Sequence, residues 1–146
     1  MMERTSLEIR YGVRWYDPEQ TTLWCECSPR WTWIEAQRTV RKINLLCSAI
    51  ARPTYVVIRC SKDEITSLPA GGAIFNLRQL MLAEPRNNQL VILVGASSLL
   101  RQLLLMTGQV YRLQEQLSRY RFVSTPEEAI ALIEKHKQLS PCASVS

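Results

Sequence analysis

Five cysteines, a single histidine and a few hydroxyls around a pair of glycines are the side chains here that could do chemistry. The cysteines are Cys25, Cys27, Cys47, Cys60 and Cys142. Their odd number and irregular spacing argue against a disulfide framework. Cys25 and Cys27 stand two apart in an alternating stretch, so both point to one face of a strand. A pair placed this way could ligate a metal or exchange electrons. Only His136, far along the chain, could complete a metal set. Free cysteine also packs as a small hydrophobe, and core filling is the simpler account of the pair. The sequence therefore implies no metal site and no cofactor.

The stretch "SLPAGGAIFN", residues 67 to 76, raises a different chemistry. It closes the loop "SKDEITSLPAGG" and opens an apolar helix, much as "GASS" at 95–98 opens the next one. Free amides and the dipole at a helix start attract anions. Gly71 and Gly72 would let a ligand come close to the backbone. An anion site would thus be bounded by Gly71, Gly72, Ser97 and Ser98. Neither loop carries a recognised phosphate signature. "GASS" lacks the lysine and spacing of a P-loop, and "AGGA" lacks the three-glycine dinucleotide pattern. Small and capping residues also begin helices that bind nothing.

Covalent catalysis needs a nucleophile beside a base. His136 sits behind the last apolar stripe, there is no Gly-x-Ser-x-Gly elbow, and Asp63 and Glu64 are adjacent loop charges with no opposing carboxylate. A non-enzymatic role is expected.

The elements that would position these groups can be read from periodicity. Ile9, Tyr11, Val13 and Trp15 alternate with Arg10, Gly12, Arg14 and Tyr16, the pattern of a half-buried strand. "DPEQT" supplies turn chemistry through Asp17 and Pro18. Leu23, Cys25 and Cys27 then alternate with Trp24 and Glu26, so the two runs read as an antiparallel hairpin. "TWIE" at Thr32–Glu35 is a capping box. Behind it Ala36, Val40, Ile43, Cys47 and Ile50 form a helical stripe that Pro53 ends. "TYVVIRC" and "QLVILVG" are near-continuous apolar runs, suited to central parallel strands covered on both faces. A helix over roughly 71–84 joins them as a crossover unit. "ASSLLRQLLLM" predicts a further helix capped by Ser97 or Ser98, with Gly108 expected to kink or break it. Val110, Leu113, Leu117 and Tyr120 continue a helical spacing before a short strand at "RFVS". "TPEE" opens the last helix, with Thr125 as cap, Pro126 at its first position and Glu128 closing the box.

This order predicts an α/β fold, a mixed sheet of about five strands with about four helices packed on it. At 146 residues the chain suits one domain. We expect an extension over 1–8, the domain over 9–139 and a flexible tail over 140–146. The hydrophobic share of 47% and charged share of 21% are ordinary globular values. No apolar run reaches the roughly 18 residues that span a bilayer. The charged N-terminus lacks the apolar core of a signal peptide, so a cytoplasmic location is expected. The net charge of +5 comes from scattered residues, including Arg38, Arg41, Lys42, Arg112, Arg119 and Arg121. No basic stripe interleaved with aromatics emerges, which argues against nucleic acid.

The stretches "VRWYDPEQTTLWCECSPRWTWIEA", "TYVVIRCS", "AGGAIFNLRQL", "LVILVGASSLLRQLLLM" and "FVSTPEEAIALI" together resemble the STAS domain. That is the fold of bacterial anti-sigma-factor antagonists, and the likeness is to the branch grouped with lipid-binding CRAL-TRIO domains. It covers about Arg10 to Leu139. In the antagonists, the loop before the second helix carries an aspartate, a phosphorylatable hydroxyl and a glycine. Matching Gly72 to that glycine places Ala70 at the hydroxyl position and Pro69 at the aspartate position. A one-residue slip puts Gly71 at the hydroxyl position. The phosphoswitch is therefore not carried over. Thr66 and Ser67 are the nearest hydroxyls that could be modified.

The resemblance implies a regulatory module that binds a partner protein through the 61–72 loop, the following helix and the 95–98 loop. Ser67, Gly71, Gly72, Asn76, Arg78 and Ser98 are the expected contacts. The alternative is a small carrier of lipid or another apolar ligand, which would need a cavity between the sheet and the second and third helices. The chain is short for a large one. Phe75, Met81, Leu105 and Met106 would be exposed if the two helices did not cover each other, marking a partner surface or acyl groove. Of Trp15, Trp24, Trp31 and Trp33, an exposed Trp24 could anchor a homodimer, and burial in the sheet is the competing expectation.

Overall fold

The computed structural model describes residues 12–27, 31–60 and 72–139. The expected strand positions Ile9 and Tyr11, the segments 1–8 and 140–146, and Thr66, Ser67 and Gly71 lie outside the described residues.

β1 (Val13–Trp15) and β2 (Thr22–Glu26) form the expected antiparallel hairpin. Asp17 closes its turn, its Oδ1 accepting from the amides of Thr21 and Thr22 at 3.0 Å each. A short carboxylate that accepts several amides fixes a turn without side-chain bulk. α1 (Trp33–Ser48) starts at the Thr32–Glu35 box, in which hydroxyl and carboxylate each take one free amide. β3 (Thr54–Arg59), α2 (Ala73–Leu82), β4 (Asn88–Val94) and α3 (Ser98–Val110) follow. A single turn, α4 (Gln114–Leu117), precedes β5 (Tyr120–Val123) and α5 (Pro126–Leu139).

The sheet order is β1-β2-β3-β4-β5, with only β1 antiparallel. The α/β fold with a five-stranded mixed sheet is as the sequence predicts. β3 and β4 run side by side in the same direction from Tyr55↔Leu90 to Arg59↔Val94. Each parallel step moves one place along the sheet, and right-handed crossovers then put α1, α2 and α3 on one face. α5 covers the other. On its side Trp24, Tyr55, Val57, Leu90, Ile92 and Val94 pack with Ala129 and Ile133. On the three-helix side Val91 and Leu93 meet Leu77, Met81 and Leu104, while Leu23 and Val56 meet Ile43 and Cys47. Trp24 is buried and stacked by Tyr16, so it offers no dimer anchor.

Two local expectations are corrected. Gly108 does not end α3, which runs through it to Val110. A Cβ at Gly108 would lie 2.7 Å from a Leu117 methyl, so the glycine is there for close packing of α4. The spacing of Val110, Leu113, Leu117 and Tyr120 is not one helix either: the chain turns at Arg112 (φ +54°) and enters β5 at Tyr120. Glycine costs only about 1 kcal/mol in a helix, a tertiary contact's worth.

Candidate functional site

Between the sheet and α1, α2 and α3 lies a cavity of about 210 Å³. Its walls are mainly apolar, with Val56, Ile58, Val91 and Leu93 from the strands facing Val40, Leu77, Leu80 and Leu100 from the helices. Its two ends differ chemically. One holds Glu84, Asn88 and Tyr120, and the other holds Cys25, Cys27 and Cys60.

The polar end begins with a sheet irregularity. The register shifts between Thr54↔Asn88 and Tyr55↔Leu90, leaving Gln89 as an extra residue on β4. An extra residue reverses the alternation. Asn88 therefore shares the cavity face with Val91 instead of lying under α5 with Leu90. It is 1% exposed, and neither its Nδ2 nor its Oδ1 has a partner among the described residues. Neighbouring Asn87 has a different task, donating to the carbonyls of Cys47, Ile50 and Arg52 and so tying the end of α1 to β4.

Glu84 follows α2 and reaches Tyr120 at the start of β5. The Tyr120 hydroxyl donates to Glu84 Oε2, while Oε1 is buried and has no partner among the described residues. Burial pushes the Glu84 carboxyl up to about 7, against the opposing pull of the Tyr120 hydrogen bond and the Arg119 charge. Burial, then the neighbouring carboxylate, push the Tyr120 phenol well above its ordinary value. The phenol stays a donor, whereas Glu84 is poised between charged and neutral forms near neutrality. Leaving buried polar atoms unpaired costs about 1–3 kcal/mol each, so these orphans call for a partner.

The thiol end is built by strand pairing. Cys25 and Cys27 share the inward face of β2, and parallel pairing brings Cys60 beside Cys27 just past Glu26↔Arg59. The amide of Cys27 donates to the Arg59 carbonyl at 3.0 Å, and that of Cys60 to Val94 at 2.9 Å. The neighbouring thiols of Cys25 and Cys60 hold the Cys27 pKa well below the ordinary thiol range despite burial. Cys27 beside them, then burial, pushes the thiols of Cys25 and Cys60 up. Cys25, Cys27 and Cys60 all line this end of the cavity, with Cys25 also part of the buried core. No group of His, Cys, Asp and Glu among the described residues is arranged to hold a metal ion.

No family model matches the chain, and neither does any curated protein or solved structure.

Of the contact residues singled out from the sequence, those described lie at the starts of α2 and α3 and along α2. Gly72 caps α2 in the left-handed region (φ +58°). Asn76 Nδ2 donates back to the Gly72 carbonyl at 3.0 Å. Arg78 lies over the Tyr111 ring at 4.9 Å, holding α2 against α3. The Ser97 hydroxyl accepts from the Leu100 amide at 3.1 Å and so caps its own helix, while Ser98 is exposed. His136, far from any of these, meets the Tyr55 hydroxyl through Nδ1 at 2.9 Å under α5. Met81 is buried, whereas Phe75, Leu105 and Met106 are exposed. The sequence reading missed Glu84, Asn88 and Tyr120.

Proposed function

We propose that this chain is a binding module for a small, largely apolar molecule that carries one hydrogen-bonding head. The observation that carries the reading is Asn88, whose side-chain amide is buried in the wall of a mainly apolar cavity with neither polar atom partnered among the described residues. Its Nδ2 needs an acceptor and its Oδ1 a donor, while Glu84 Oε1 offers a third position. A carboxamide or comparable neutral group supplies both partners at once. A carboxylate would meet the Oδ1 without a proton and face the Glu84 charge. The size of the cavity suits a small molecule better than a long acyl chain. This is the carrier alternative narrowed to a neutral head. Free cysteines among the described residues suit a reducing compartment, and we place the protein in the cytoplasm. No helix among the described residues is long and apolar enough to cross a membrane.

Octanamide tests the proposal by calorimetry. Saturable one-to-one binding is expected, with methyl octanoate much weaker because it has no N–H donor. Equal affinity for the two would refute the head-group reading.

A protein-interaction module, as the STAS resemblance implies, is favoured by one further observation. Leu99, Met106 and Val110 stand exposed in a line along α3, and Phe75 is exposed on the neighbouring α2. Reversing Met106 to Glu should abolish capture of a partner from the native cell while leaving octanamide binding intact. Unchanged capture would remove this second reading.

A further inference from the structure

The thiol end of the cavity has no part in holding a polar head. Cys25 pairs with Ile58, which pairs with Leu93, and Leu93 is five residues from Asn88. At about 3.3 Å per residue the two ends are roughly 16 Å apart. A small ligand seated on Asn88 does not reach the sulfurs with its head, so the thiols answer to different chemistry.

Three features of that end belong together. Cys27 and Cys60 are partly exposed where they line the cavity, whereas Cys25 is 2% exposed and serves only from within. The walls beside them are Ile58, Leu93 and Leu100, which concentrate apolar molecules near sulfur. Strand register sets Cys60 beside Cys27, and Cys25 stands two residues before it on the same face, so thiols flank Cys27 on two sides. They hold its pKa below the ordinary range. The thiolate is the nucleophilic form. Thiols kept for packing alone would have no need to cluster at an accessible wall.

We infer that Cys27 is a covalent capture site for small apolar α,β-unsaturated carbonyl compounds entering the cavity beside it. In the step, sulfur forms a bond to the β-carbon and the carbon–carbon π bond breaks. Its electron pair moves to the carbonyl as an enolate. A proton then returns to the α-carbon, delivered by the neighbouring S–H of Cys60 or by water. The net change is addition of one S–H across one double bond, and no oxidant or reductant takes part. The inference rests on the cavity being open to ligands, as the proposed function requires.

The test uses the reduced full chain and 3-octen-2-one, with adducts located by peptide mass mapping. One adduct on Cys27 is expected, forming at least several-fold faster than on Cys47 or Cys142. Cys27→Ser should abolish it. Cys25→Ala and Cys60→Ala each remove one flanking thiol, and each should slow capture about tenfold if it raises the Cys27 pKa by about one unit. The saturated ketone 2-octanone should slow capture by competition in the unaltered chain, a readout that needs no variant to fold. Adducts shared equally among Cys27, Cys47 and Cys142 would overturn the inference, as would a rate indifferent to 2-octanone. If 2-octanone shifts the methyl resonances of Leu93 and Leu100 while Cys27 stays unmodified, the cavity reading stands and this inference falls. If the ketone shifts neither, this inference falls, and the cavity reading is decided by octanamide, which carries the N–H donor that the ketone lacks.

Discussion

The two faces of this sheet have been given opposite properties. Under α5 the surface is closed: Trp24, Val57, Leu90, Ile92 and Val94 meet Ala129 and Ile133, with Tyr16 stacked over Trp24. Its polar atoms are matched, as in the Tyr55–His136 hydrogen bond and the 3.0 Å donation from Lys137 to the Thr21 hydroxyl. Under α1, α2 and α3 the same strands leave a cavity with unpaired amide and carboxyl atoms at one end and thiols at the other. A protein interior is normally filled and satisfied. Both faces contribute buried core, and only the three-helix face leaves a cavity and unpartnered polar atoms among the described residues.

If that division is real, substitutions on the two faces must part company. The largest effect should come from Ile133→Ala, which empties a site only 2% exposed on the closed face. A loss of about 2–5 kcal/mol is expected in denaturant unfolding, with octanamide affinity unchanged for the folded fraction. Next comes the pH dependence due to Glu84. Its carboxyl titrates at about 7 in the folded chain against 4.5 unfolded, so the folded state holds the proton longer. Stability should therefore be highest below pH 4.5 as far as this group is concerned, and fall by about 3 kcal/mol as pH rises from there to 7. Glu84→Gln should flatten that part of the profile. Tyr120→Phe should cost about 1–3 kcal/mol by stripping Glu84 of its donor, and should move the Glu84 transition to higher pH. The smallest effect on stability belongs to Asn88→Leu. Exchanging an unsatisfied amide for an apolar side chain of similar size should leave unfolding within about 1 kcal/mol of the parent, or raise it.

Much of the closed face was legible in the sequence. Tyr55–Ile58 and Leu90–Val94 are continuous apolar runs because both sides of a central strand are covered. Asp17, Thr32 with Glu35, and Thr125 announce their turns and helix starts by local hydrogen bonds that need no tertiary knowledge. The Thr125 box is only half formed, since the Glu128 carboxylate accepts from the Thr125 hydroxyl and not from its amide. The open face was far less legible. Glu84 reads as a helix end before Pro85, Tyr120 as the last member of a stripe, and Asn88 as part of the polar pair "NN". The extra residue at Gln89 turns Asn88 toward the cavity, and a bulge is a property of two paired strands that neither strand announces alone. Glu84 and Tyr120 meet only through the tertiary contact of their side chains. Cys25 and Cys27 were visible as a pair. Cys60 joins them only through the register of β2 on β3. Gly108 misled for a similar reason, because its contact is with Leu117 in a different element.

The most direct trial of the account is octanamide titration of the parent chain and of Asn88→Leu, side by side in one calorimeter. Saturable binding to the parent and none to a variant that unfolds no earlier is the predicted result. Equal binding by both, or binding by neither, would contradict it.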